Sequence, residues 1–300
     1  MAEAVHVSNL TCRYGRTEAV AGLTFSVPEG SLFALLGPNG AGKTTTIRTL
    51  MNIQRPSGGA ATVLGVDSRR LGPAEFRTIG HVSENQKLPG WMTVAQLLAF
   101  CRPLYPTWDD ALSAKLMQEF ELPPHTRISR LSRGMRVKAA LVSSLAYRPR
   151  LLVLDEPFSG LDPVVRDDLV RGVLELAGEE RWSVLISSHD LDEVERLVDA
   201  VGFIDAGRLV LMEPLAGLHA RFRRVEVTTD EPLAAAPASP DWIGPQVSGR
   251  IARFVMTRYS GPESDGEISA AFPDASFETY PMTLREIFVA VARQQREARR

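Results

Sequence analysis

A glycine-rich segment that leads into a lysine and a threonine is the part of this sequence best suited to chemistry. Gly37, Gly42, Lys43 and Thr44 follow the spacing G-x-x-x-x-G-K-T within LFALLGPNGAGKTTTIRTL. Glycines let backbone N–H groups curve around an anion, and the start of the next helix adds further donors. The lysine would reach the β- and γ-phosphates of a nucleotide, and the threonine hydroxyl would ligate Mg²⁺. The predicted nucleotide-binding residues of this loop are Gly37, Pro38, Asn39, Gly40, Ala41, Gly42, Lys43, Thr44 and Thr45.

Two carboxylates follow the apolar run LLVL further along the chain. Asp155 ends this run and Glu156 comes next. A carboxylate at the end of a buried strand is what a phosphate loop needs to hold Mg²⁺, usually through water. Its neighbour can polarise the attacking water as a general base. A plain strand that ends in a turn would also explain the two acids alone, but their combination with the loop favours a hydrolytic site.

Strands and helices must bring these residues together. SLFALLG, RLLVLDEP and SVLISSH are short apolar runs, typical of strands buried on both faces of a parallel sheet. VHVSNL and LTFSV alternate like half-buried strands, and VGFID with AGRLVLM predicts a hairpin. Helices are predicted at 43–51, 94–100, 111–121, 133–146 and 163–177. The fold class predicted is therefore α/β, with a mostly helical insertion between about 89 and 148.

The overall composition narrows the class of protein. A chain of 300 residues with 44% hydrophobic and 23% charged residues is globular, with about two domains. Its net charge of -2 gives no general attraction to nucleic acid or anionic lipid. The two cysteines, Cys12 and Cys101, favour a reduced cytosolic location over a disulfide scaffold. Neither a signal peptide nor an apolar run of about 18 residues is visible, so no membrane span is expected.

The composition changes after about residue 224. DEPLAAAPASPDW resembles a linker, RIARFVMTRY predicts a strand, and TLREIFVAVARQQREARR predicts a helix. Thr283 and Glu286 have the spacing of a capping box at the start of that helix. We therefore expect one domain over residues 1–224 and a small α+β domain over residues 225–300, whose role the sequence does not indicate.

From about Val5 to Glu213 the sequence resembles the ATP-binding subunits of ABC transporters. The segments CRYG, SGLD and SVLISSH lie in this family's order around the phosphate loop and the two carboxylates. The resemblance implies that Tyr14 stacks on adenine, that Asp162 lies in the loop linking two subunits, and that His189 contacts the γ-phosphate. It also implies a P-loop ATPase core with an antiparallel β subdomain and an inserted helical subdomain at about 89–148.

The segment LSRGM corresponds to the family's LSGGQ, which opens a helix and contacts ATP held by the opposite subunit. Ser132 and Gly134 are retained, so the resemblance implies that they bind phosphate in trans together with the helix start. Arg133 replaces a glycine and Met135 replaces a glutamine. Two orientations of Arg133 stay open, outward or towards the nucleotide. An in-trans role predicts that Arg133→Gly leaves the ATP affinity of the isolated monomer unchanged.

The family also carries a glutamine after a strand of the type IG-aromatic, in the loop that senses the membrane partner. The corresponding text is IGHVSENQKLPGWMTV, where strict register favours Glu84 and leaves Gln86 as the alternative. A carboxylate can approach Mg²⁺ or the attacking water at least as well as an amide. The predicted catalytic residues are Glu156, His189, Glu84 and Gln86, and the predicted metal ligands are Thr44, Asp155 and Glu84.

The function implied by the resemblance is that of an ATP-hydrolysing subunit. Two ATP-binding chains, identical or different, would close around ATP and Mg²⁺ and drive a separately encoded membrane permease at the inner face of the cell membrane. LYPTWDD and TLREIFVAVAR also resemble single-domain ATPases of exporter type. The alternative is a soluble ATPase switch of the same superfamily that acts on DNA or ribosomes. We expect no nucleic acid partner, since the sequence shows neither a second cassette nor a long coiled-coil insertion.

A third alternative is a degenerate module that only binds nucleotide. The intact set of Lys43, Asp155, Glu156 and His189 argues against it, because this is the set of groups that hydrolysis needs.

Overall fold

The computed structural model describes residues 2–84, 86–180 and 182–298. Contacts divide the chain into two compact units, Met1–Met212 and Glu213–Arg300. This division precedes the change in composition at about 224, because the helix Leu215–Arg221 and the strand Arg223–Thr228 already belong to the second unit. The division of the chain into functional domains at 1–224 and 225–300 stays a prediction.

Ten strands and seven α-helices are interspersed along the described part of the chain up to residue 214. The strands are β1 (Glu3–Tyr14), β2 (Thr17–Pro28), β3 (Leu32–Leu36), β4 (Gly58–Val63), β5 (Val66–Asp67), β6 (Ile79–Ser83), β7 (Leu151–Asp155), β8 (Ser183–Ser188), β9 (Ala200–Asp205) and β10 (Arg208–Pro214). The helices are α1 (Lys43–Leu50), α2 (Pro73–Phe76), α3 (Val94–Cys101), α4 (Asp110–Glu119), α5 (Arg133–Leu145), α6 (Pro163–Glu180) and α7 (Leu191–Val194). Short 3-10 turns cover Ser68–Arg70, Arg102–Leu104 and Ile128–Arg130.

A six-stranded sheet in the order β10-β9-β3-β8-β7-β6 forms the centre of the first unit. The neighbours β9, β3, β8, β7 and β6 are parallel, and every residue of β7 and β8 is buried. Their apolar runs suit this position between two covered faces. The register pairs Asp155 with both Ser83 and Ser187. The carboxyl ends of these strands therefore meet at one edge, where ligands bind in open parallel sheets.

A second sheet of the first unit has the order β2-β1-β4-β5 and is antiparallel throughout. Val5 and Val7 of β1 are buried by alternation, but the register then shifts before Leu10, where Asn9 has a φ of 48°. This bulge lets Leu10 and Cys12 continue the buried face. The predicted strand VHVSNL is therefore too short, since β1 runs on to Tyr14.

The insertion between β6 and β7 is largely helical. Its helices begin where the sequence places a side chain that can satisfy a free backbone N–H group. Thr93 accepts from the Gln96 amide before α3, at 3.2 Å, and Asp109 accepts from the amide of Leu112 in α4, at 2.9 Å. Ser132 does the same for α5, whose Met135 amide donates to Oγ at 3.2 Å. The cap geometry explains why the predicted starts at 94, 111 and 133 lie so close to the observed ones.

The second unit is an antiparallel sheet with three helices. Its strands are β11 (Arg223–Thr228), β12 (Trp242–Ser248), β13 (Ile251–Met256) and β14 (Ser276–Pro281), in the order β12-β13-β11-β14. Its helices are α8 (Leu215–Arg221), α9 (Pro262–Ala271) and α10 (Leu284–Ala298). Trp242 stacks on Phe254 at a centroid distance of 4.1 Å, and Val225 and Ile268 belong to the same buried core.

The predicted capping box opens α10. The Glu286 amide donates to Thr283 Oγ1 at 3.3 Å, and the Thr283 amide donates to Glu286 Oε2 at 2.9 Å. Leu284 and Ile287 are fully buried, as their helical spacing predicts. In the described part of the chain, no helix combines the length and the apolar character that crossing a bilayer would take.

Candidate active site

The phosphate loop between β3 and α1 needs its glycines for two different reasons. A Cβ atom on Gly37 would lie 2.2 Å from the carbonyl oxygen of Ile204, and one on Gly42 would lie 2.5 Å from that of Ala19. Gly42 also has a φ of +107°, in the region that side chains disfavour. Gly40 has a φ of +80° but open space around it. Gly37 and Gly42 therefore allow close backbone packing, and Gly40 allows the turn.

Lys43 lies beneath this loop and is buried. Its Nζ atom donates to the carbonyl oxygens of Gly37, at 2.6 Å, and Pro38, at 3.2 Å. The same Nζ atom lies 3.0 Å from Oε1 of Glu156, whose side chain is only 10% exposed. Two of the three ammonium donors thus bond to carbonyl oxygens, and the contact with Glu156 Oε1 is an ion pair, since that oxygen makes no hydrogen bond. The loop, the lysine and the carboxylate after β7 are thus joined through one cation.

Asp155 is buried and has two hydroxyl partners. Thr44 Oγ1 donates to Asp155 Oδ1 at 3.1 Å, and Ser187 Oγ donates to the same oxygen at 2.7 Å. A threonine hydroxyl beside a carboxylate is a hard-oxygen donor pair that fits Mg²⁺, which usually takes few protein ligands besides water and phosphate oxygens. Within the described ranges, no three His, Cys, Asp or Glu side chains converge on one point as a protein-only metal cage.

Glu156 adopts an uncommon backbone conformation, with a φ of 50°. Its amide donates to Ser187 Oγ at 3.0 Å and to the Ser187 carbonyl oxygen at 3.2 Å, which holds the residue in place. His189 Nδ1 lies 2.7 Å from the other carboxylate oxygen, Oε2. Left-handed backbone in a non-glycine residue costs about 1–3 kcal/mol and persists only where neighbours impose it. The Glu156 carboxylate is therefore fixed between Lys43 and His189.

Glu84 lies next to the end of β7, because its amide donates to the Asp155 carbonyl oxygen at 2.8 Å. Its Oε1 atom accepts from Arg133 Nη2 and from Ser159 Oγ, both at 3.0 Å. Gln86 has a different place: its Oε1 atom accepts from the Ser83 amide at 3.4 Å, and it lines a neighbouring groove. Sequence reasoning missed Ser159 and the contact of Arg133 with Glu84. The opposite charges of Glu84 and Arg133, which both depart from the family pattern, were a signal for that contact.

A cavity of about 450 Å³ collects most of the predicted residues. Its walls are formed by Ala19, Asn39, Gly40, Ala41, Gly42, Lys43, Thr44, Thr45, Glu84, Glu156, Ser159 and His189. Residues from four separate loops, after β3, β6, β7 and β8, thus face one space at the carboxyl edge of the sheet. This arrangement can surround a phosphate chain with backbone donors, one lysine and a candidate base.

The predicted residues that do not line this cavity are Tyr14, Gly37, Pro38, Gln86, Ser132, Gly134, Asp155 and Asp162. Tyr14 is half exposed and its hydroxyl donates to Gln54, so its stacking on adenine stays a prediction. Ser132 caps α5, and Asp162 precedes α6 with its carbonyl oxygen accepting from an α6 amide. A Cβ atom on Gly134 would lie 2.7 Å from Val165 Cγ1. The roles predicted for Ser132, Gly134 and Asp162 concern a second subunit and stay predictions.

His81 of β6 stands where the family pattern has an aromatic residue. Its Nε2 atom is buried and makes no hydrogen bond in the structure. Burial lowers the pKa of His81 below the ordinary value of 6.5, and the negative charge of Asp155 opposes this shift. Burial therefore disfavours the protonated ring at this position.

Comparison with known proteins now decides the family. The model of the ABC transporter family matches residues 20–159. A fluoroquinolones export ATP-binding protein of Mycobacterium tuberculosis is 35% identical over 230 residues, covering 74% of this chain and 75% of that protein. The chain belongs to the ABC transporter family of ATP-binding proteins. The family resemblance predicted from the motifs is thereby confirmed.

Two further likenesses extend this result. The ABC transporter ATP-binding protein YtrB of Bacillus subtilis is 27% identical over 271 residues, covering 89% of this chain and 91% of that protein. A solved ATP-binding subunit of an ABC transporter superimposes with a TM-score of 0.65 at 27% identity, covering 72% of this chain and 92% of that one. The P-loop ATPase fold predicted for this ABC transporter protein is confirmed, and its enzyme class is that of an ATPase.

Proposed function

We propose that the chain hydrolyses MgATP to power a separately encoded membrane permease, and that the direction is export. The observation that carries this proposal is the convergence of Lys43, Glu156 and His189 on the cavity beside the phosphate loop. The likeness to a fluoroquinolones export protein supports the direction. Through the permease, the chain would lie at the inner face of the cell membrane.

In this proposal the residues from Gly37 to Thr45 bind the phosphates. The backbone amides of the loop and the start of α1 face the anion, and Lys43 turns from the Gly37 and Pro38 carbonyl oxygens towards the β- and γ-phosphates. Thr44 and Asp155 would hold Mg²⁺, which neutralises charge on the phosphates. Tyr14 would stack on the adenine ring.

Glu156 is the proposed general base. Its Oε1 atom is paired with Lys43, so a shift of the lysine towards phosphate leaves that oxygen able to accept a proton from water. His189 bonds the other oxygen, Oε2, and thereby orients the carboxylate while its ring faces the same cavity. Binding of the phosphate chain and activation of the base are therefore linked through Lys43.

The proposed assembly contains two such ATP-binding chains and the permease. Ser132, Gly134 and Asp162 would complete the nucleotide site of the second chain. Trp91 and Phe100, on the helical insertion, are 71% and 57% exposed, and large exposed apolar side chains favour a protein partner. This exposure supports docking of a permease on the insertion.

Phosphate release by the purified protein tests the proposal. We expect slow hydrolysis of MgATP, and we expect Glu156→Gln to retain ATP while losing at least about a hundredfold in turnover. Lys43→Ala serves as the control that loses binding itself. Hydrolysis by Glu156→Gln at the parental rate would show that Glu156 is not the base. Size-exclusion chromatography of Glu156→Gln with ATP is expected to give a dimer, unless the natural partner is a different ATPase chain.

Experiments that test the membrane partner and the direction of transport require membranes. A tagged chain is expected to co-purify with a multi-span membrane protein, and inside-out vesicles carrying both are expected to accumulate substrate when MgATP is added outside. Loss of substrate from preloaded vesicles under the same conditions would indicate import. Recovery with ribosomes or DNA in place of a membrane protein would favour the soluble-switch alternative.

A further inference from the structure

Two departures from the family pattern contact each other. Glu84 stands where the family has glutamine, Arg133 stands where it has glycine, and their side chains form an ion pair at 3.0 Å. Both belong to the first unit, but they are far apart in sequence and lie on different elements. Each change alone would introduce an unbalanced charge beside the cavity. Together the two changes are electrically neutral.

Arg133 is partly exposed but also contacts the loop after β7. A Cβ atom on Gly160, whose φ is +66°, would lie 2.9 Å from Arg133 Nη1, so the guanidinium rests directly on this glycine. Ser159 donates to the same Glu84 oxygen that Arg133 contacts. The first turn of α5 packs on the same region, since Gly134 faces Val165 without room for a Cβ atom. Arg133 therefore points to residues of its own chain.

The charges around the cavity indicate what the contact between Glu84 and Arg133 does. Glu84 and Glu156 both face the space proposed for a phosphate chain, while Lys43 is already paired with Glu156. A carboxylate without a cation beside it would repel a polyanion at this distance. Arg133 supplies the balancing charge, and the Ser159 hydroxyl donates to the same Glu84 oxygen, Oε1.

We infer that Arg133 is a positioning residue that acts in cis: it holds and neutralises the Glu84 carboxylate at the mouth of its own chain's nucleotide site. The inference rests on the proposed function only in that this cavity binds nucleotide. It differs from an in-trans role, under which Arg133→Gly leaves nucleotide affinity of the monomer unchanged. Here loss of Arg133 weakens nucleotide binding by the monomer, and it has little effect once the Glu84 charge has been removed.

A double-mutant cycle tests the inference. Arg133→Ala, Glu84→Gln and the double variant are titrated with trinitrophenyl-ATP and Mg²⁺, at protein concentrations where chromatography finds a monomer. We expect Arg133→Ala to weaken binding about fivefold, in the range of a partly exposed ion pair. Adding Arg133→Ala to Glu84→Gln is expected to change the affinity by no more than about twofold relative to Glu84→Gln alone, because the charge that Arg133 balances is then already gone. Arg133→Lys, which keeps the charge, retains most of the affinity, and added salt reduces the differences.

Arg136→Ala is the matched control. Arg136 is on the same helix and lines the neighbouring groove together with Glu84 and Arg133, so its loss removes a nearby positive charge but leaves the Glu84–Arg133 ion pair in place. We expect no more than a twofold change in affinity. Equal effects of Arg136→Ala and Arg133→Ala, or additive effects of Arg133→Ala and Glu84→Gln, would overturn the inference. Thermal midpoints for all variants separate affinity changes from loss of folded protein.

The same measurements separate this inference from the proposed function. If the parental protein binds the probe and Lys43→Ala abolishes binding, an additive cycle overturns the role of Arg133 and leaves the proposed function standing. If the parental protein shows no Lys43-dependent binding, the proposed function fails, and the inference fails with it.

Discussion

The Nζ atom of Lys43 lies 3.0 Å from Oε1 of Glu156, and the two side chains are 5% and 10% exposed. The lysine proposed to bind phosphate and the proposed base thus neutralise each other inside the protein. Removing one member of such a buried pair leaves the other charge uncompensated, which costs about 3–5 kcal/mol. The effects of the two residues on stability are therefore coupled, as are their roles in the proposed chemistry.

This coupling predicts non-additive stability changes in protein without added nucleotide. We expect Lys43→Ala to lower the free energy of unfolding by about 3 kcal/mol, because Glu156 is left buried without its cation. Lys43→Ala combined with Glu156→Gln is expected to cost less than Lys43→Ala alone. Urea unfolding measures both. The exposed pair Arg150–Glu29 is the control, where Arg150→Ala changes stability by about 1 kcal/mol or less. Additive costs at Lys43 and Glu156 would contradict the coupling.

Ser187 is expected to matter for the metal although it is not a ligand. Its hydroxyl donates to Asp155 and accepts from the Glu156 amide, and it is fully buried. We predict that Ser187→Ala costs about 1–3 kcal/mol of stability and raises the Mg²⁺ concentration needed for half-maximal hydrolysis. Ser143→Ala, which removes a buried serine bond on α5, is expected to leave the Mg²⁺ requirement unchanged. Parallel Mg²⁺ titrations of the two variants decide the point.

Substitution of Gly134 distinguishes a packing role within the monomer from the predicted contact with a second subunit. A methyl group there would meet Val165 at 2.7 Å, so Gly134→Ala is expected to destabilise the monomer by about 1–3 kcal/mol. Val165→Ala in the same chain makes room and is expected to recover most of that loss. Thermal unfolding measures this relief. Should Gly134→Ala leave the monomer as stable as the parental protein, the packing role is wrong. Hydrolysis that stays low in the stabilised double variant would favour the predicted contact with a second subunit.

Burial of His81 is expected to make the protein less stable as the pH falls. Because burial lowers its pKa in the folded protein, the unfolded chain binds its proton more readily as the pH falls below 6.5. The contribution of His81 to stability is complete above pH 6.5 and decreases below it. Thermal midpoints measured across this range are expected to fall less steeply for His81→Phe than for the parental protein. Identical slopes would contradict this source of the pH dependence.

Local spacing made part of the structure predictable. The phosphate loop and the capping box of α10 each depend on residues a few positions apart, so a single segment carries the whole signal. The acid pair after β7 was predictable for the same reason, since an apolar run marks the end of the strand. The predicted family followed from the order of these segments.

Long-range register accounts for what the sequence could not indicate. Ser187 reaches Asp155 because β7 and β8 pair in one particular register, and no local pattern specifies that. The contact between Glu84 and Arg133 depends in the same way on how β6 and α5 approach each other. The strand β14 and the helix α9 mix polar and apolar residues on partly exposed surfaces, so their periodicity is weak.

The aromatic stack of Trp242, Phe254 and Phe272 affects how this sequence can diverge. These rings pack within a core whose members all come from the second unit. A substitution in that core is compensated by neighbours from the same stretch of chain, without repacking the phosphate loop. Selection can therefore change the core of the second unit independently of the residues of the phosphate loop.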